Sequence, residues 1–151
     1  MLVKKSNVAP ALAIGLGLLA LTAPARADET TLNVVERATT DAVTNLGDAD
    51  DNAGDLLTFA NEVYDEANAK QVGTDNGWCI RTVVGKAWEC FWTLSLSDGQ
   101  ITVAGPFLDA GDSTLAVTGG TGAYAGVRGE MGLHARNSEG SEFDFRYKLV
   151  R

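Results

Sequence analysis

The chain has 151 residues, with 12 Lys and Arg against 20 Asp and Glu, and a net charge of −8. That length fits one ordinary domain. The apolar fraction of 45% is too high for a disordered chain, and the acidic balance argues against a nucleic-acid surface, which needs clustered Lys and Arg.

Residues 1–27 read as a secretory signal. Lys4 and Lys5 give a positive start, Ala11 to Leu21 an unbroken apolar run, and Ala25-Arg26-Ala27 the small residues a signal peptidase reads. The run is shorter than the ~20 residues a spanning helix needs. Cleavage near Ala27 would leave an unanchored, secreted chain, outside the cell or in its envelope. Residues 28–53 then read as an N-terminal strand and acidic linker, and residues 54–151 as the body of the domain.

Strand signals follow in order: Leu32–Arg37, Leu56–Asp65, Val72–Val84, Ala87–Ser97, Gln100–Pro106, Thr114–Thr118, Arg128–Arg136 and Glu142–Val150. Ala38–Leu46 alone has a weak helical period. Ser97-Asp98-Gly99 is a hairpin signature, and Val84-Gly85-Lys86 and Asn137 to Gly140 read as further turns. Alternation assigns faces. Phe143, Phe145, Tyr147 and Leu149 share one side of the last strand. Trp88, Cys90, Trp92, Leu94 and Leu96 share one side of the fourth, Leu57, Phe59, Asn61 and Val63 one side of the second, and Ile101, Val103, Gly105 and Phe107 one side of the fifth. Eight short strands, each with one apolar face, and no long helix leave a sandwich or a closed barrel.

A turn centred between Val84 and Gly85 sets Cys79 directly opposite Cys90 on one face. With an exported chain, that pair reads as a disulfide rather than as two reduced thiols.

Several stretches together resemble the allene oxide cyclase family. They are Gly54-Asp55-Leu56-Leu57-Thr58-Phe59-Ala60-Asn61-Glu62-Val63-Tyr64, Val72-Gly73, Gly77-Trp78-Cys79, Gly105-Pro106-Phe107, and the run from Leu115 to Gly129, which is also similar to dirigent proteins. Order and spacing match over roughly residues 54–150. The resemblance implies an all-β fold, an eight-stranded antiparallel calycin-like β-barrel, usually a homotrimer, whose lumen holds a small hydrophobic unsaturated molecule and steers its cyclisation. It implies an isomerase that needs no cofactor. Asn61 matches an asparagine on the family's second strand, and Cys79 a cysteine on its third. The family's first-strand glutamate falls at Asn33, a nearby asparagine at Val35, and the tyrosine after Gly-Pro at Phe107. The expected lumen therefore keeps an amide and a sulfur but lacks the acid and the phenol. A non-catalytic binder of a lipid or terpenoid, a dirigent-like stereo-directing protein and a scaffold with a filled lumen are the other readings.

Individual residues carry their own expectations. Asn61 and Cys79 are the catalytic candidates. Asn61 would hold a ligand oxygen or bond a neighbouring strand. Arg81, on the Cys79 face, would clamp a ligand carboxylate at the mouth or pair with an internal acid. Phe59, Trp88, Trp92 and Phe107 would line a cavity or simply pack. His134, the only histidine, alternates outward, and one imidazole is too little for zinc. The acids from Asp48 to Asp55 start like a calcium loop, but Ala53 and Phe59 stand where it needs Gly and Glu, so no metal is expected. Gly120-Thr121-Gly122-Ala123-Tyr124-Ala125 has dinucleotide spacing without the helix that would receive the pyrophosphate, and reads as a glycine corner.

Overall fold

The computed structural model describes residues 28–151; the signal segment read at residues 1–27 lies outside the described residues. Nine strands follow in order: β1 (Glu29–Arg37), β2 (Ala42–Thr44), β3 (Leu56–Asp65), β4 (Gln71–Val83), β5 (Ala87–Leu96), β6 (Gly99–Leu108), β7 (Ser113–Gly122), β8 (Arg128–Ala135) and β9 (Glu142–Val150). From β3 to β9 each strand pairs antiparallel with the next. β1 pairs with β9 along its whole length and with β3 from Val34↔Asp65 to Arg37↔Glu62. That second pairing closes eight strands into an antiparallel barrel and settles the choice left open between barrel and sandwich.

The predicted faces hold. Phe143, Phe145, Tyr147 and Leu149 are all buried, as are Trp88, Cys90, Trp92 and Leu94. One half of the lumen is filled by Val63, Leu94, Ile101, Val103, Met131 and Tyr147, each at most 1% exposed. Gly77 lets the other half close up. A Cβ there would stand 2.3 Å from the Trp92 Cβ and 2.9 Å from the Phe59 ring, so only glycine admits those rings against β4.

The weak helix expected at Ala38–Leu46 does not form. The segment is a broken continuation of β1 along the β3 edge: pairing stops at Arg37 and resumes at Thr44↔Leu56 to Ala42↔Thr58 in β2. The open edge of β3 offers ladder bonds that a short isolated helix cannot match. The gap falls on Thr39, Thr40 and Asp41, short polar residues whose side chains compete with ladder hydrogen bonds.

Candidate functional site

The break in the β1 edge creates the site. Thr39 and Thr40 lose their ladder partners, and the side chain of Asn61 supplies replacements. Its Oδ1 accepts from the Thr39 N–H (3.1 Å), the Thr40 N–H (2.9 Å) and the Thr40 hydroxyl (2.8 Å). Its Nδ2 donates to Glu36 Oε1 (2.7 Å) and to Asp41 Oδ1 (2.8 Å). A buried amide leaves such partners unmade only at a cost of ~1–3 kcal/mol, and here each of its atoms is engaged. Asn61 therefore stands behind the pocket wall as a brace for two acids. It is not among the residues that line the lumenal cavity.

Glu36 and Asp41 sit at the edge of a lumenal cavity of about 50 Å³. The rest of its lining is apolar: Leu57, Phe59, Trp92, Phe107, Leu133, Phe143, Phe145 and the Cys79–Cys90 disulfide. Phe59 meets Trp92 edge-on with centroids 5.9 Å apart, and Phe107 meets Phe143 the same way at 6.0 Å. No Lys or Arg is among these lining residues. Wider clefts of about 260–290 Å³ open at the surface; one of them shares Phe107, Leu133 and Phe143 with the lumenal cavity, and neither Glu36 nor Asp75 lines any of them.

Burial pushes the Glu36 carboxyl up to about 7; hydrogen bonds from Asn61 and Asp75 pull against that rise, and the Asp41 charge adds to it. Asp75 on β4 lies directly across from Asn61 and is wholly buried. Burial, then the Glu36 charge, raises it to about 10. Beneath them, burial and then the Asp75 charge raise the Tyr147 phenol, and neither its hydroxyl nor the Trp92 indole N–H has a hydrogen-bond partner among the described residues. A carboxyl that titrates near neutral pH at the end of an aromatic slot is equipped for general acid–base work.

The sequence candidates divide accordingly. Phe59, Trp92 and Phe107 line the cavity. Arg81 and Trp88 do not. The Arg81 guanidinium contacts both Asp109 oxygens (2.6 and 2.7 Å), stands 2.7 Å from Asp51 Oδ1 and stacks on the Trp88 ring at 4.0 Å, which leaves it no fork for a ligand carboxylate. Cys79 is disulfide-bonded to Cys90, so its sulfur is pocket wall and no thiolate. The acid expected to be missing is present. Asn33 is exposed and donates to Glu66, while Glu36, three residues on, faces the lumen. The lumen also holds a phenol, from Tyr147 on β9 rather than at Phe107. In the acidic loop, Asp55 accepts the Leu46 and Asn52 N–H groups and Asp51 accepts that of Gly85. His134 is exposed beside Asp112.

A protein-family model described as allene oxide cyclase matches residues 28–137, well over half the chain. The chain belongs to the allene oxide cyclase family. Among solved structures, pyocyanin demethylase is similar to this family member at 28% identity and a TM-score of 0.68, over 80% of this chain and 99% of its own. A pterocarpan synthase dirigent protein matches at 16% identity and TM-score 0.66, over 82% of this chain and 94% of its own. An exo-specific intermolecular Diels-Alderase matches at 16% and 0.66, over 82% and 99%. The last two likenesses are likenesses of fold. Allene oxide cyclase membership and these neighbours agree with the barrel.

Proposed function

We propose that this barrel binds a small, neutral, hydrophobic unsaturated molecule in the Glu36 pocket and steers its cyclisation or coupling. The aromatic walls hold one folded shape, and Glu36 gives or takes a proton as bonds rearrange. Choosing one product a hundredfold over another needs only ~2.8 kcal/mol between transition states, within reach of confinement plus one carboxyl. The observation that carries this is Glu36 itself, a buried acid raised to about 7 and facing a slot otherwise walled by aromatics. The relative named for demethylating pyocyanin supports a small-molecule substrate. The paired cysteines support an exported, oxidising setting. The outer faces of β4 and β5 expose Trp78, Ile80 and Phe91, an apolar strip that supports burial against further copies in a homotrimer.

The cavity volume favours a second reading. About 50 Å³ holds a few waters, far below the ~300 Å³ usual for small-molecule sites, so a ligand must displace the half-buried Leu57, Phe59 and Phe107. A scaffold with a filled lumen would never do so. Trp92 fluorescence during titration with polyene and epoxide probes, followed by product analysis, separates the readings. The proposal expects quenching, conversion, and a loss of turnover of about 10²–10⁴-fold in Glu36→Gln. Binding without conversion would make the protein a carrier, and no binding at all would favour the scaffold.

A further inference from the structure

Asp75 has no role in the reading above. It faces the lumen from β4, paired across to Asn61 on β3 and to Leu94 on β5. Nothing of it reaches solvent, and among the described residues neither carboxyl oxygen accepts a hydrogen bond. The titratable groups around it are Glu36 from β1, Asp41 from the break after β1 and the Tyr147 phenol from β9, which lies beside the Trp92 indole of β5. Two are acids and none is a cation. The Tyr147 O–H and the Trp92 N–H, likewise unpartnered, are neutral donors; with two acids and no cation around it, the carboxyl keeps its proton instead of its charge. Once protonated it owns an O–H, and the acceptor on its side of the lumen is Glu36, which the Asn61 amide across from Asp75 holds in place.

We propose that Asp75 is a positioning residue for Glu36: it stays protonated at neutral pH and donates a hydrogen bond from its own O–H to the Glu36 carboxylate, so that the pair carries one negative charge. The Asn61 amide and the Asp75 hydroxyl then hold Glu36 from two elements, and the ionised form of Glu36 is the one both stabilise. Asp75 does not touch the pocket, and it never gives up its proton while Glu36 exchanges its own with a ligand. The consequence for turnover rests on the function proposed for Glu36; the titration that tests the pair needs no substrate.

Carboxyl ¹³C shifts of the whole chain, followed from about pH 4 to about pH 10 in the parent protein, Glu36→Gln, Asp75→Asn and Asp75→Leu, provide that test. Glu36 is expected to lose its proton near neutral pH while Asp75 keeps its own well above it. In Asp75→Asn an amide N–H replaces the O–H, and the Glu36 midpoint stays within about half a unit. In Asp75→Leu the donor is gone, and the midpoint rises by about one unit or more. Asp75 ionising before Glu36, or an unmoved midpoint in folded Asp75→Leu, overturns the proposal. If Asp75→Leu does not fold, a Glu36 midpoint displaced by more than about one unit in Asp75→Asn overturns it equally. These titrations behaving as expected in a protein that converts nothing would sink the function and leave the pair standing. Turnover that needs Glu36 with Asp75 ionised early would do the reverse.

Discussion

Strand β4 turns two charged-type residues into the lumen, Asp75 and Arg81, three inward steps apart, and the barrel treats them oppositely. Arg81, 9% exposed, is met by Asp109 and Asp51 and covered by Trp88. Asp75, 0% exposed, is met by another acid and a phenol. The difference follows from acid–base chemistry. A guanidinium cannot shed its charge in a protein, so it must be given carboxylates; a carboxyl can keep its proton, so it can be buried with none. One end of the lumen is therefore a settled ion cluster that holds two loops in place. The other is a pair of acids that burial pushes up, Glu36 to about 7 and Asp75 to about 10.

The largest effect that would sharpen this contrast is loss of stability at the paired end. Arg81→Met leaves Asp51 and Asp109 facing each other and unties the loops that carry them. Removing one partner of a fully buried pair costs about 3–5 kcal/mol. Because the Asp51 and Asp109 side chains are 32% and 27% exposed, about 2–3 kcal/mol is expected. Asp75→Asn, which keeps size and a donor and has no proton to hold against solvent, should cost nothing at pH 7 and should raise the midpoint instead. Urea midpoints of the two variants at pH 7 measure both. Equal losses would mean that Asp75 is an ion-pair member after all.

The same contrast explains what the sequence made legible. Period-two alternation exposed the inward faces of β5 and β9, and hairpin arithmetic found the cystine, because both depend only on neighbours along the chain or across one turn. The acids were harder. The first-strand acid that lines the cavity, Glu36, stands three residues past Asn33, an odd step, and on a strand an odd step changes the face. Adjacent Val34 and Val35, both buried, remove the alternation that would have flagged it. Asp75 shares the parity of Cys79, a usable signal, but Asp75-Asn76-Gly77 reads as turn chemistry and hides it. The partners of Arg81 come from loops 30 and 28 residues away in the chain, a distance across which no local pattern speaks. The break after Arg37 depends on the register of β1 and β2 against β3, and so does the clamp Asn61 makes across it.

Midway between the two ends sits the bridge from Cys79 to Cys90, with a sequence separation of 11. Replacing both cysteines with alanine should lower stability by about 2–3 kcal/mol through the short loop it closes, read again as a urea midpoint. Since the bridge walls the pocket, the variant should also bind aromatic probes more loosely. Since it is held by its own hairpin partner and by no ion pair, its cost should add to that of Arg81→Met within about 0.5 kcal/mol. A larger departure would show that the two ends communicate through β4.

The smallest expected effect, per unit, is the pH dependence of stability, and it discriminates the two ends most directly. Glu36 is raised from 4.5 to about 7 and Asp75 from 3.8 to about 10 by burial, so the folded protein holds both protons more tightly than the unfolded chain. Their contribution is complete below the ordinary carboxylate range and is lost as pH rises, for Glu36 up to about 7 and for Asp75 up to about 10. Asp55 and Asp65 act in the opposite sense. The N–H groups of Leu46 and Asn52 hold Asp55 below its ordinary value, and those of Ala69 and Lys70 do the same for Asp65, so their contribution is lost as pH falls through their lowered values. Stability should therefore peak in mild acid and decline on the order of 1 kcal/mol per pH unit towards neutrality, with a shallower slope above about 7, where only Asp75 still differs. Glu36→Gln should make the segment below 7 shallower, and Asp75→Asn should make both segments shallower, since Asp75 differs from the unfolded chain throughout. Arg81→Met should lower the curve and leave its decline above about pH 5 unchanged, altering only the acid limb, where the Arg81 charge helps hold Asp55 low. A curve equally high at pH 5 and pH 8 would mean that both lumenal acids ionise as they do in water, and the unpaired end of β4 would then need a counter-ion.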